Sequence, residues 1–209
     1  MSYLYMGAIV PISIAIPITV GVAKYKRLDQ SLKIVFLFLV VNGLTNVIAK
    51  LLAVAQVTNL PALHVYTVIE LWILLLFYRS ILNDIGLSRF IPIIIIAFFV
   101  VSVINTLFFQ SIFTYNSYTR SLEAILIILF AIIYFIKRLD KVEQSAKGTA
   151  IAIINSALLF YFSGALILFI VSNVIVTDIK LGAAIWNVHA TLVLLMYILF
   201  AVALYIYKP

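Results

Sequence analysis

Seven long apolar segments, joined by short polar connections, make up nearly all of this 209-residue sequence. A hydrocarbon layer of about 30 Å takes roughly 20 helical residues to cross, and each segment is long enough to do so. The segments lie near residues 4–24, 32–56, 61–82, 89–112, 117–137, 149–176 and 181–207. We therefore expect an all-α, polytopic membrane protein, with residues 1–209 forming one domain, a single bundle of seven transmembrane helices.

Composition supports this class and excludes others. The chain is 66% hydrophobic and 10% charged, whereas soluble domains are about 45–50% apolar and about 25% charged. Its net charge of +7 does not predict nucleic-acid binding, because the basic residues cluster in the connections that flank apolar segments. The absence of cysteine excludes disulfides, thiolate metal sites and cysteine nucleophiles.

The distribution of lysine and arginine predicts the orientation of the bundle. One side of the predicted membrane holds eleven basic residues: Lys24, Lys26, Arg27, Lys33, Arg79, Arg89, Lys137, Arg138, Lys141, Lys147 and Lys208. The other side holds only Lys50, Arg120 and Lys180. By the positive-inside rule we expect the N-terminus outside and the C-terminus in the cytoplasm, in the cell membrane and specifically the bacterial inner membrane. We expect the first segment to be a retained helix, because its basic residues follow the apolar run.

The second and third segments resemble the fourth and fifth in the order of their polar residues. An asparagine-bearing segment is followed in each pair by one that begins near Tyr-Thr, carries a glutamate and ends in basic residues, the glutamates being Glu70 and Glu123. This order is consistent with a parallel internal repeat, with the sixth and seventh segments as a degenerate copy. A shared composition among membrane hairpins would explain it equally.

Glu70 is the charged residue that lies deepest within a predicted membrane-spanning segment. It lies nine residues after Pro61, which is about 13 Å into the third helix. Glu123 lies about 8 Å into the fifth helix, five residues after Tyr118. Charged groups at such depths are costly and mark candidate functional sites.

Polar residues in other helices fall on stripes that cannot face lipid cheaply. We expect these stripes to enclose an outward-opening polar cavity between helices 2, 3, 5 and 7. The candidate ligand-binding residues are Glu70, Lys50, Glu123, Arg120, Asn46, His189, Asn187 and Tyr66.

Each candidate also has a structural interpretation. Arg120 and Glu123 are spaced to pair along one helix, and Lys50 could extend to the membrane surface or bridge to Glu70. The asparagines and His189 could serve only as hydrogen-bonding groups between helices.

Several activities lack the residues that they need. A retinal protein requires a lysine in the middle of its last helix, and the seventh segment has none before Lys208. A zinc site would have to combine His64 and His189 with Asp178, and no close histidine spacing supports it. No phosphate-binding loop or nucleophile elbow is present. We therefore expect no metal and no cofactor.

Three hypotheses for function remain. The first is a sensor or accessory module that binds a small molecule or lipid headgroup in the cavity and acts through an unidentified membrane partner protein. The second is a small-solute or proton-coupled transporter in which Glu70 and Glu123 titrate. The third, a membrane-embedded lipid-modifying enzyme with Glu70 or Glu123 and His189 in acid–base roles, is the least favoured, so we lean against catalysis.

Overall fold

Seven long helices account for most of the chain. The computed structural model describes residues 4–83, 86–138, 145–175 and 179–208, and at 174, 175 and 179–181 the backbone alone. Within these ranges there is no strand, and seven helices are long and apolar enough to cross a membrane. They are α1 Tyr5–Arg27, α2 Gln30–Val54, α3 Leu60–Ile81, α4 Ile91–Phe108, α5 Ser117–Arg138, α6 Ala146–Ile175 and α7 Ile179–Ile206. The predicted all-α seven-helix bundle is confirmed.

The largest difference from the predicted bounds is at the end of α4. The helix ends at Phe108 rather than near 112 because the carbonyl of Asn105 accepts from the N–H groups of both Phe109 and Gln110. The Gln110 side chain then donates to Ser117 at 2.8 Å and accepts from the N–H of Tyr118 at 3.1 Å. These bonds tie the end of α4 to the start of α5.

Prolines explain where the helices begin and where α1 is irregular. Pro61 and Pro92 occupy the first turns of α3 and α4, where a missing N–H costs little. Within α1, a π-helical turn at Tyr5–Ile9 precedes Pro11, and a break at Ile14 precedes Pro17. Each proline removes a helix hydrogen bond, so the irregular geometry has a local cause.

Contacts between α1 and α7 distinguish the two ends of the bundle. At the end where α1 begins, which we call the N-terminal end, Tyr5 contacts Thr191 of α7. At the opposite end, which we call the C-terminal end, Lys24 donates to the carbonyls of Tyr205 and Tyr207 and thereby caps α7. Odd-numbered helices therefore begin at the N-terminal end, and even-numbered helices end there.

The half of the bundle towards the C-terminal end is tightly packed and apolar. Its largest side chains with almost no exposed surface include Tyr78, Phe38, Phe77 and Phe200. One buried polar connection crosses it, in which Tyr78 donates to Asn155 at 3.0 Å and Asn155 donates to the carbonyl of Ala131. This connection joins α3, α5 and α6, and the buried residues around it are mostly apolar.

Candidate functional site

A cavity of about 380 Å³ occupies the half of the bundle towards the N-terminal end. Six helices, α1, α2, α3, α5, α6 and α7, contribute to its lining, together with Asn59 and Tyr115 from the connections at that end. The sequence predicted helices 2, 3, 5 and 7, so α1 and α6 are additions. No residue of α4 lines the cavity.

A buried ionic cluster forms part of the cavity wall. Nη1 of Arg120 donates both to Oε2 of Glu70, across the interface of α5 and α3, and to Oε2 of Glu123 at 2.7 Å. The side chains of Glu70 and Glu123 are 2% and 0% exposed, and that of Arg120 is 14% exposed. Two carboxylates therefore share one guanidinium, and the Glu123–Arg120 pair follows from their spacing of one helical turn.

Tyr161 of α6 extends the cluster to α7. Nη2 of Arg120 donates to the Tyr161 hydroxyl at 3.3 Å, and that hydroxyl is hydrogen-bonded to Nε2 of His189 at 3.2 Å. The order Glu70, Arg120, Tyr161, His189 thus runs through four helices. Among the described residues, His189 is connected to the glutamates only by way of Tyr161 and Arg120.

Aromatic rings surround the guanidinium and continue along the wall. Arg120 lies over the rings of Phe169 and Tyr66, at 4.8 and 5.8 Å from their centroids. Trp186 stacks on Tyr115 with centroids 5.4 Å apart and meets His189 edge to face at 5.5 Å. All of these rings belong to residues that line the cavity.

The connection between α4 and α5 is held in place as one side of the cavity. Asn173 of α6 accepts from the N–H of Tyr115 and donates to its carbonyl, and Asn116 donates to Thr67 of α3 at 2.6 Å. Partial burial raises the pKa of Tyr115 above its ordinary value. Its phenol therefore stays neutral against Trp186 at physiological pH.

A second polar group lies deeper along α2 and α7. The hydroxyl of Tyr197 donates to Oδ1 of Asn42 at 3.0 Å, and the same oxygen accepts from Asn46 at 3.4 Å. The three side chains line the cavity. Hydrogen bonding of this kind satisfies polar groups that would otherwise face hydrocarbon.

Five of the eight predicted site residues line the cavity: Glu70, Arg120, Asn46, His189 and Tyr66. Glu123 is not among the lining residues and lies buried behind Arg120, which it contacts. Asn187 is also outside the lining, because Trp186 and His189 occupy the cavity-facing side of α7.

Lys50 does not join the site. It is exposed and absent from the cavity lining, and the ion pairs described for Glu70 go to Arg120. With 3.6 residues per turn, Lys50 lies about 80° around α2 from Asn42. A stripe at every fourth residue drifts by about 40° per step, so its far end turns away from the cavity.

Sequence reasoning missed the contribution of tyrosines in α6 and α7. Tyr161 and Tyr197 line the cavity and hydrogen-bond to its polar groups, yet neither carries charge. Tyrosine is expected near membrane interfaces, and these two lie well inside their helices. Their position in the middle of apolar helices was the feature of the sequence that could have identified them as polar residues of the interior.

The arrangement suits binding rather than metal coordination. Within the described part of the chain, no group of three His, Asp or Glu residues is close enough to hold a metal ion, and Asp178, considered for zinc, lies outside that part. Carboxylate, guanidinium, imidazole, hydroxyl and amide groups meet aromatic faces around one small volume.

Comparison with protein-family models, with curated proteins and with solved structures finds no match for this chain.

Proposed function

We propose that this protein is a membrane-embedded binding module, a sensor or accessory subunit whose ligand occupies the cavity. The observation that carries the proposal is the buried cluster of Glu70, Arg120 and Glu123 at the wall of a 380 Å³ cavity. Ligand pockets range from about 300 to 1,000 Å³, so this one suits a small molecule or a lipid headgroup.

The proposed orientation exposes the cavity to the outside. The C-terminal end of the bundle carries most of the described basic residues, including Lys24, Arg79, Arg138 and Lys147. By the positive-inside rule we propose that this end lies in the cytoplasm and that the cavity opens at the outer surface, with the bacterial inner membrane as the proposed location. A ligand would reach the cavity from outside without crossing the membrane.

The apolar half of the bundle favours sensing over transport. Between the cavity and the C-terminal end, the described core is largely apolar, and its polar contacts include the bonds of Tyr78 and Asn155 and the pair of Ser31 and Ser80. A bound ligand has no polar path to follow through that core. Its effect would therefore pass to a partner protein in the membrane through helix packing.

Transport remains the second candidate because two carboxylates on one guanidinium could exchange protons during alternating access. Flux of a cavity ligand into proteoliposomes, driven by a pH gradient and lost in Glu70→Gln, would favour transport over sensing.

Catalysis on lipids is the third candidate. It is weakened by the geometry, since His189 reaches the glutamates only through Tyr161 and Arg120.

The two tryptophans make the binding proposal directly testable. Trp186 lines the cavity, whereas Trp72 is 53% exposed on α3 and lies outside the cavity lining. In a Trp72→Phe protein, the tryptophan emission, excited selectively over that of the tyrosines, reports on Trp186 alone. We expect a saturable change in emission when a panel of small amines, carboxylates, phosphate and polyols is titrated into nanodiscs.

The control for that titration is Trp186→Phe, which retains only Trp72 and should not respond. Combined Glu70→Gln and Glu123→Gln should abolish the response in the Trp72→Phe background. Asp29→Asn, which removes an acid at the other end of the bundle, should preserve it. A response that survives loss of both glutamates would contradict the proposed site.

A further inference from the structure

We propose that the cavity binds an ammonium group, that of either a small organic amine or an amine-bearing lipid headgroup. The inference rests on the proposed binding function and names the chemistry of its ligand. Four features of the site support it: its charge, the occupied state of its arginine, its aromatic wall and its unpartnered oxygen atoms.

The site contains one more negatively charged group than positively charged groups. Of the described Asp, Glu, Lys and Arg residues, only Glu70 and Arg120 line the cavity, and Glu123 contacts Arg120 from behind. Two carboxylates against one guanidinium leave a formal charge of −1. An uncompensated charge in an apolar interior is costly, so a cation would be held favourably there.

Arg120 is already engaged and is poorly placed to bind an anion. Its Nη1 serves both glutamates, its Nη2 donates to Tyr161, and its plane lies over Phe169. Three of its five N–H donors are taken up in these bonds, so a phosphate or carboxylate ligand would be left with the other two, beside two carboxylates. It would also add a negative charge where one is already in excess.

The aromatic wall suits a cation. Trp186 and Tyr115 line the cavity beside His189 and Phe169. Aromatic faces attract ammonium and quaternary ammonium groups within about 6 Å, and tryptophan does so most strongly. Tyr115 belongs to the connection at the N-terminal end, so these rings stand where a ligand would enter.

Oxygen atoms in the cluster lack donors. Oε1 of Glu123, a residue with no exposed surface, has no hydrogen-bond partner among the described residues. Neither has the buried hydroxyl of Tyr66, which lines the cavity next to Glu70. Oε1 of Glu123 does not border the cavity, so its lack of a donor leaves the negative charge of the cluster only partly satisfied. A primary ammonium group such as that of ethanolamine could donate to the Tyr66 hydroxyl, whereas the quaternary ammonium group of choline supplies positive charge alone.

The test uses the Trp72→Phe protein in nanodiscs of phosphatidylglycerol, a lipid without an amine. Choline and ethanolamine are titrated at constant ionic strength, with acetate, phosphate and glycerol as comparison probes. We expect a saturable change in Trp186 emission with the two amines and none with the others. Glu70→Gln and Glu123→Gln should each weaken choline binding by about tenfold or more, and Asp29→Asn should leave it unchanged.

A second arm separates the two sources of the ammonium group. In nanodiscs that contain phosphatidylethanolamine or phosphatidylcholine, a lipid headgroup that occupies the cavity would compete, and the apparent affinity for choline would fall about tenfold. Equal affinity in both lipids would assign the site to a free amine.

Each remaining outcome counts against the proposal. Binding of acetate, phosphate or glycerol without the amines would overturn the ammonium assignment and leave the binding function standing. No response to any probe in either lipid would overturn both, and a proton held by one carboxyl would then account for the excess charge. The titrations that compare probes use a protein in which Glu70, Arg120 and Glu123 are unchanged. They therefore test the proposal even if a glutamate variant does not fold.

Discussion

Arg120 on α5 and Glu70 on α3, fifty positions apart in the chain, form a direct ion pair in the interior of the bundle. The same nitrogen of Arg120 also binds Glu123, its neighbour one turn along α5. A contact within one helix is thereby linked to a contact between helices. The pair fixes α3 against α5 at the level of the cavity, so structure and proposed binding depend on the same atoms.

Loss of the arginine should be the most damaging change in the cluster. Arg120→Gln leaves two buried carboxylates without a cation, and breaking a buried ion pair from one side costs about 3–5 kcal/mol. We expect a large fall in Tm for the protein in detergent micelles. The control is Lys50→Gln on the exposed surface of α2, where the change should stay within about 0.5 kcal/mol. Equal effects of the two substitutions would contradict the assignment of Arg120 as the partner of Glu70.

The two glutamates should be coupled in a double-mutant cycle. With either Glu70→Gln or Glu123→Gln alone, Arg120 keeps one carboxylate and loses the repulsion between two. With both changed, the guanidinium has no counter-charge. We expect the double variant to be destabilised by about 1–3 kcal/mol more than the sum of the single variants, measured by Tm or denaturant unfolding. Strict additivity would show that the carboxylates do not share the arginine.

Tyr161→Phe removes a hydroxyl that bonds to both Arg120 and His189 while the ring stays in place. Buried donors left unpaired cost about 1–3 kcal/mol, so the Tm should fall. Tyr205→Phe is the matched control, because Tyr205 is 71% exposed at the far end of α7. A neutral Tyr161→Phe would indicate that the polar chain through α6 contributes nothing to stability.

At Gly164 the side chain of Leu192 on α7 lies against the backbone of α6. A methyl group added at this position would lie 2.9 Å from Cδ1 of Leu192, so the end of that side chain would have to shift. The overpacking costs up to about 1–3 kcal/mol and is partly offset by about 1 kcal/mol of helix propensity. We therefore expect Gly164→Ala to lower the Tm more than Gly7→Ala, which has open space around it. In the Gly164→Ala background, Leu192→Ala should be less harmful than it is alone, because it makes room for the new methyl group.

The proposed orientation can be checked by cysteine labelling, because the chain has no cysteine of its own. Thr58 and Asn83 are exposed residues in connections at opposite ends of the bundle. In intact cells, a membrane-impermeant maleimide should label Thr58→Cys and leave Asn83→Cys unlabelled until the cells are opened. The reverse pattern would place the cavity in the cytoplasm.

Much of the fold was predictable because the bilayer restricts the alternatives. Apolar runs such as 61–82 and 117–137 have few other ways to satisfy their backbones in hydrocarbon, and both are helices close to the predicted bounds. The end of α4 was not predictable. It depends on Gln110 bonding to Ser117 and Tyr118, and side-chain bonds between separate helices leave no trace in local hydropathy.

The candidate site was predictable only in part. Glu70 and Arg120 stood out because charge in an apolar run is costly whatever surrounds it. Lys50 was one candidate partner of Glu70 because of its stripe on α2, yet the stripe rotates away from the cavity before it reaches that residue. Tyr161 was overlooked because its role arises from contacts with Arg120 and His189 on other helices.

The sequence alone therefore determined how many helices are long and apolar enough to cross a membrane, where they begin and end to within a few residues, and that Glu70 needs a partner. Hydrophobic length and the cost of a buried charge are local properties of the chain. Which cation meets Glu70 was decided by the tertiary structure. Arg120 rather than Lys50 meets Glu70 because of the way α3, α5 and α2 are rotated and packed. That packing depends on side chains from the whole bundle at once.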